Sequence, residues 1–261
     1  MPLVPTYTTL GHGPLVLLLH GAGGGVRSFA PQVETLASLG FRAAAWAMPG
    51  YGHSAPIEPY TFKGLADSCG ALIDALTANS GATSVALVGQ GMGGMVAQEV
   101  ALRRPHQVRQ LVLVATAAAV APGDAYSRYA ERGLAWLDEG KDMEAIAHTL
   151  LPQVVGPGAL PAGVQLATYC QSMVHAGTWR RALRALTGFD RSAALAHIHV
   201  PTLLVAGEYD RVAPPEGLRA MASAIAGSRC EVMGGVGHLP HLEQPDEFDA
   251  LLLDFLRQPL H

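Results

Sequence analysis

The sequence predicts an α/β domain, a mostly parallel central sheet with helices on both faces. Two observations lead there. Short apolar runs alternate with helix-length segments along the 261 residues. Those runs are almost continuously apolar, as strands covered on both faces are, and do not alternate with polar residues. A third observation narrows the class. The run Ser84 to Val88 feeds a glycine-rich turn, Gly89-Gln90-Gly91-Met92-Gly93-Gly94, and then a helix.

Taken in order, Leu15 to Leu19 reads as a buried strand ending at His20-Gly21, and Phe29 to Leu39 as a helix stopped by Gly40. Phe41 to Trp46 is the next strand, broken by Pro49-Gly50, and Leu65 to Ala78 the next helix. Val85 to Val88 leads through the glycine turn to a helix over Met95 to Arg103, and Leu111 to Val114 is a further strand. From Ala119 to Ile198 the pattern turns helical: Tyr126 to Leu137, Met143 to Leu150, Leu166 to His175 and Trp179 to Leu186. Strands return at Thr202 to Ala206 and Cys230 to Met233, and an amphipathic helix over Asp246 to Leu256 closes the pattern. The expected organisation is a core of residues 1–118 and 199–261 and a helical lid over 119–198. A helical insertion of this kind covers the C-terminal ends of the strands, where open α/β sheets build their sites.

Composition narrows the function. Charged residues are 15%, against about 25% in an average globular domain, and apolar residues are 49%. The net charge of −4 gives no reason to expect nucleic acid, which would favour a basic patch. Cys69, Cys170 and Cys230 have no metal-like spacing and fit a reduced chain. No apolar run spans a bilayer, and no signal peptide is apparent at the N-terminus. These readings lead us to expect a soluble cytoplasmic protein, monomer or homodimer, acting on a small molecule without metal or cofactor.

Three positions fall just after strands. Gly91 occupies the middle of Gly89-Gln90-Gly91-Met92-Gly93, the layout of the nucleophile elbow G-x-S-x-G, in which a strained turn lifts a serine above the sheet. Asp210 follows Val205-Ala206-Gly207-Glu208-Tyr209, and His238 ends Gly234-Gly235-Val236-Gly237-His238. A fourth element, His20-Gly21-Ala22-Gly23-Gly24-Gly25, can bring a backbone N–H close to a substrate oxygen. Other readings stand beside these: Asp210 as a helix cap, His238 as a structural histidine with His241 as rival, and Ser54, Cys69 and Cys170 as structural groups. Trp179 and Arg180 are candidate substrate-binding residues of the lid, with a solvated helix face as the alternative for Arg180.

These segments, with Pro49-Gly50-Tyr51-Gly52-His53-Ser54 and Glu243-Gln244-Pro245, resemble the α/β-hydrolase fold superfamily over nearly the whole chain. The tail is similar to enol-lactone hydrolases, and the His20 loop to the C–C hydrolases that cleave aromatic ring-fission products. The resemblance implies hydrolysis of a small ester, lactone or vinylogous ketone, and a lid inserted after the sixth strand. It implies that Asp210 orients His238, that His238 is general base and then general acid, and that the N–H groups of Ala22 and Met92 form the oxyanion hole.

The chain departs from that pattern twice. Ala47 stands where relatives have Asp or Asn, and Gly91 stands where they have the serine nucleophile. Glycine keeps the turn while removing the attacker, which leaves three readings: a replaced nucleophile that traps substrate, a homologue using the His238–Asp210 dyad as a base, or a non-catalytic binding protein. A remote alternative uses Gly89, Gly91 and Gly94 as a dinucleotide-binding G-x-G-x-x-G, though no acidic residue follows the next strand to hold a ribose.

Overall fold

The computed structural model describes residues 3–78 and 81–259. Among these residues, seven strands, β1 (Tyr7–Leu10), β2 (Leu15–Leu19), β3 (Arg42–Trp46), β4 (Val85–Gln90), β5 (Val108–Val114), β6 (Thr202–Gly207) and β7 (Arg229–Met233), form one sheet in the order β1-β3-β2-β4-β5-β6-β7. Only β1 is antiparallel to its neighbour. The parallel strands bury side chains on both faces. Along β2, Leu15, Leu17 and Leu19 join one hydrophobic cluster while Val16 and Leu18 join the other. That two-sided burial explains the unbroken apolar runs.

The helices are α1 (Ala30–Ser38), α2 (Phe62–Thr77), α3 (Met92–Arg103), α4 (Ala125–Asp138), α5 (Met143–Val154), α6 (Pro161–Ser172), α7 (Ala176–Leu186), α8 (Pro215–Ala224), α9 (Pro240–Glu243) and α10 (Pro245–Leu256). Helices α1 and α10 contribute to the cluster on one face of the sheet, and α2 and α3 to the other. Four helices, α4 to α7, lie between β5 and β6, so the insertion follows the fifth strand of the chain and not the sixth. No helix among the described residues is long and apolar enough to cross a membrane.

Three elements escaped the sequence reading, one of them α9, a single turn of four residues too short to leave a periodic pattern. β1 is a four-residue edge strand with no buried residue, so it carries no apolar signature. α8 buries only Pro215, Leu218 and Met221, too sparse a stripe to announce a helix. Helix α3 also begins at Met92, three residues before the expected start, because glycines at 93 and 94 hide a turn that is fully buried.

Candidate functional site

The elbow forms at the junction of β4 and α3. Gly91 has φ +55° and ψ −120°, a conformation that strains other residues and that glycine takes freely. β5 pins it: the Gly91 N–H donates to the Val114 carbonyl at 2.9 Å, and the Thr116 hydroxyl donates to the Gly91 carbonyl at 2.7 Å. The Met92 N–H opens α3 and is one of the amides that a helix leaves without an internal acceptor.

Asp210 and His238 meet at the ends of β6 and β7. His238 Nδ1 lies 2.9 Å from Asp210 Oδ2, and both side chains are buried. The other carboxylate oxygen, Oδ1, accepts the N–H groups of Val212 and Ala213 at 2.8 and 2.9 Å. Asp210 therefore also holds its own turn, as the cap reading expected, but the helix that follows starts only at Pro215. With Nδ1 turned to Asp210, the opposite ring nitrogen points to the elbow. A Cβ on Gly91 would lie 3.6 Å from His238 Nε2.

The His238 loop is tied down from several sides. The His238 N–H donates to the Val154 carbonyl at the end of α5, and the Gln90 amide donates to the His238 carbonyl. Glu243 accepts N–H groups from Gly156 and Gly237 on Oε2 and from Leu239 on Oε1, all within 2.8 Å. Burial raises its carboxyl pKa, and those three bonds oppose the rise.

His20 supports the glycine loop. Its Nε2 accepts the Met48 N–H at 3.0 Å, so Nδ1 carries the proton and donates to the Gly21 carbonyl at 2.8 Å. Burial lowers its pKa to about 4, which keeps the ring neutral. The Tyr51 hydroxyl donates to the Ala22 carbonyl at 2.7 Å and fixes the next residue of the loop. Around Pro49-Gly50 the Ser54 hydroxyl donates to the Ala47 carbonyl, so the turn is closed without a polar side chain at 47.

Gly91, Ala22 and His238 line one pocket. Helices α4, α5 and α6 supply its other wall through Tyr126, Tyr129, Leu150, Val154, Cys170 and Gln171. Burial raises the pKa of the Cys170 thiol, the opposite of activation. Trp179 and Arg180 do not reach the pocket. Trp179 is fully buried against Gly133, so it packs α7 on α4. Arg180 pairs with Asp138 on the same two helices.

The residue that sequence reasoning missed is Tyr126. Its hydroxyl lies 3.1 Å from the position of a Cβ on Gly91, and its ring packs edge-on to His238 with centroids 5.9 Å apart. Tyr126 and Tyr129, three apart at the start of α4, were the available signal, since that spacing puts both on one helix face. Together, Tyr126 and His238 stand over the N-terminus of α3, where the dinucleotide reading would need a pyrophosphate.

Comparison with known proteins identifies the fold family. Residues 14–245 match the family model described as alpha/beta hydrolase fold. The chain is 30% identical over 256 residues to part of a polyketide synthase, ThaQ, of Burkholderia thailandensis, covering 96% of this chain but only 12% of that protein. It is 28% identical to a pimeloyl-[acyl-carrier protein] methyl ester esterase of Neisseria meningitidis, over 92% of this chain and 93% of the esterase. Among solved structures, the enol-lactonase from Burkholderia xenovorans LB400 aligns with a TM-score of 0.84 and 25% identity, over 97% of this chain and 96% of that one.

Proposed function

Because the chain belongs to the alpha/beta hydrolase fold family, we propose that its pocket hydrolyses a small ester, lactone or vinylogous ketone by general-base catalysis, with water as the attacking group. The observation that carries this reading is the aim of His238. Nδ1 is held by buried Asp210 while Nε2 lies 3.6 Å from where a side chain at 91 would begin. The curated relatives point to the same chemistry: an esterase acts on a methyl ester and a structural neighbour on an enol lactone.

A water in the space beside Gly91 gives its proton to His238 Nε2, and its oxygen bonds to the substrate carbonyl carbon. The carbonyl electron pair moves onto oxygen, where the N–H groups of Ala22 and Met92 stabilise the charge. When the intermediate collapses, the bond to the leaving group breaks and that group takes the proton from His238, giving an acid and an alcohol from an ester, a hydroxy acid from a lactone, or an acid and a C-protonated fragment from a vinylogous ketone. Asp210 keeps the ring in the tautomer that accepts on Nε2 and stabilises the imidazolium between the two steps. Without a side-chain nucleophile, the oxyanion hole and binding alone retain roughly 10³–10⁴ of acceleration over water; base catalysis by His238 adds to that floor and stays far below a complete triad.

Assays with p-nitrophenyl acetate, p-nitrophenyl butyrate and a muconolactone test this. The chain turns over at least one of them slowly, and His238→Ala lowers that turnover to the floor left by the oxyanion hole and binding. Gly91→Ser raises it, and more so together with Tyr126→Phe, because the tyrosine hydroxyl crowds a side chain at 91. Turnover indifferent to His238→Ala, with no gain from either serine variant, overturns the proposal.

A further inference from the structure

Two polar side-chain atoms face the place where a side chain at 91 would begin. The Tyr126 hydroxyl lies 3.1 Å from the Cβ position on Gly91 and His238 Nε2 lies 3.6 Å from it. The next nearest atom, Gly21 Cα at 3.8 Å, offers nothing polar. Both residues line the pocket. His238 spends Nδ1 on Asp210, and among the described residues the Tyr126 side chain makes no hydrogen bond to the protein. Two unspent hydrogen-bonding groups within 3.6 Å of one point are the setting in which a water bridges.

The fold fixes the hydroxyl there from the backbone outward. Tyr126 is the second residue of α4, and Asp124 caps that helix. Oδ1 of Asp124 accepts the Ser127 N–H at 2.6 Å, and Oδ2 accepts the Ala121 N–H at 2.7 Å. The ring stands edge-on to Tyr129 and to His238, with centroids 6.0 and 5.9 Å away, and the residue is 4% exposed. Burial, with smaller contributions from Tyr129 and Asp210, holds its pKa well above the usual value. The phenol therefore stays protonated and neutral. It is not a substitute for the missing serine, because an attacking group must give up its proton readily.

We propose that Tyr126 is a second catalytic residue, whose hydroxyl oxygen and His238 Nε2 hold the attacking water between them. The assignment rests on the hydrolase reading and adds a group that touches the reacting oxygen. The water sits outward of the Cβ position, clear of the Gly91 backbone. One of its O–H groups donates to Nε2 and the other to the Tyr126 oxygen, which leaves a lone pair for the carbonyl carbon. As the O–C bond forms, the first proton passes to Nε2, while the second stays on that oxygen and departs with the acid. Tyr126 keeps its own proton throughout. A serine is oriented by its bond to the chain, and a free water needs two partners for the same alignment. Tyr126 thus assists a water and obstructs a side chain at 91.

Those opposed effects supply the test, read on whichever of the three substrates is turned over fastest. Tyr126→Phe lowers kcat about fivefold, the worth of one hydrogen bond, and leaves KM within about twofold. In the Gly91→Ser protein the same substitution raises turnover, because the attacker there is the serine. Lost packing would lower both. Tm of Tyr126→Phe stays level or rises, since the hydroxyl has no protein partner to lose. Added to His238→Ala, Tyr126→Phe costs nothing further, because the water it orients then has no base. An unchanged kcat in the Gly91 protein, a fall in both backgrounds, or an equal fall with and without His238 overturns the proposal. Turnover lowered by His238→Ala but not by Tyr126→Phe removes the tyrosine assignment and spares the hydrolase reading. Turnover that is absent, or moved by neither, removes the hydrolase reading and the tyrosine assignment with it.

Discussion

His20 and His241 are held neutral by burial, with pKa values of about 4 and about 3 against the usual 6.5. Below pH 6.5 the unfolded chain takes up protons that the folded chain refuses, so each histidine lowers stability as pH falls, until its folded value is passed. At pH 5 the loss is roughly 2 kcal/mol per histidine. Glu243 and Asp249, whose pKa values burial raises, work in the opposite sense and regain stability as they protonate. Urea unfolding at pH 7 and pH 5 measures the balance. His241→Phe should shrink the drop between the two by roughly 2 kcal/mol, and an unchanged drop contradicts the assignment. These two histidines also mark the limit of the sequence at residue scale. Gly91, Asp210 and His238 were legible because each directly follows a strand in hydrolase order. Tyr126 and Gln171 were not, because helical spacing says that a residue faces inward without saying what it meets there.

The elements that hold the site are joined by one carboxylate. Glu243 was visible only as part of a Glu-Gln-Pro string, and nothing in that string shows that it gathers three N–H groups from two loops. Those groups belong to Gly156, just beyond α5, and to Gly237 and Leu239 on either side of His238. Replacing one oxygen with NH2 sets a donor against a donor. Glu243→Gln should therefore cost about 2 kcal/mol in urea unfolding and lower kcat more than KM, since His238 loses its support while the pocket walls remain. A variant as stable and as fast as the unaltered protein would show that the clamp is dispensable. The missed elements follow the same logic. β1 and α8 bury too little apolar surface to leave a pattern, whereas the parallel strands, covered on both sides, could hardly be misread.

At the scale of the molecule, the question is whether the helical insertion is a separate unit or part of one cooperative body. Its side chains do not form a core of their own. Ile146, Leu150, Trp179 and Leu183 of the insertion belong to the same buried cluster as Leu17, Leu87 and Leu111 of the sheet. On the return to β6, Arg191 pairs with Glu99, a buried carboxylate of α3. Removing residues 119–198 would break up a buried cluster that the insertion shares with the sheet, so we expect no stable intermediate in which the sheet is intact and the insertion is open. The three tryptophans report on both parts: Trp46 lies in β3, Trp136 in α4 and Trp179 in α7. In single-tryptophan variants retaining Trp46 or Trp179, fluorescence and far-ultraviolet circular dichroism should unfold at the same urea concentration within each variant. If the Trp179 signal is lost before the circular dichroism signal, the insertion opens alone. The pocket wall built from α4, α5 and α6 would then be a moving part and not a fixed surface.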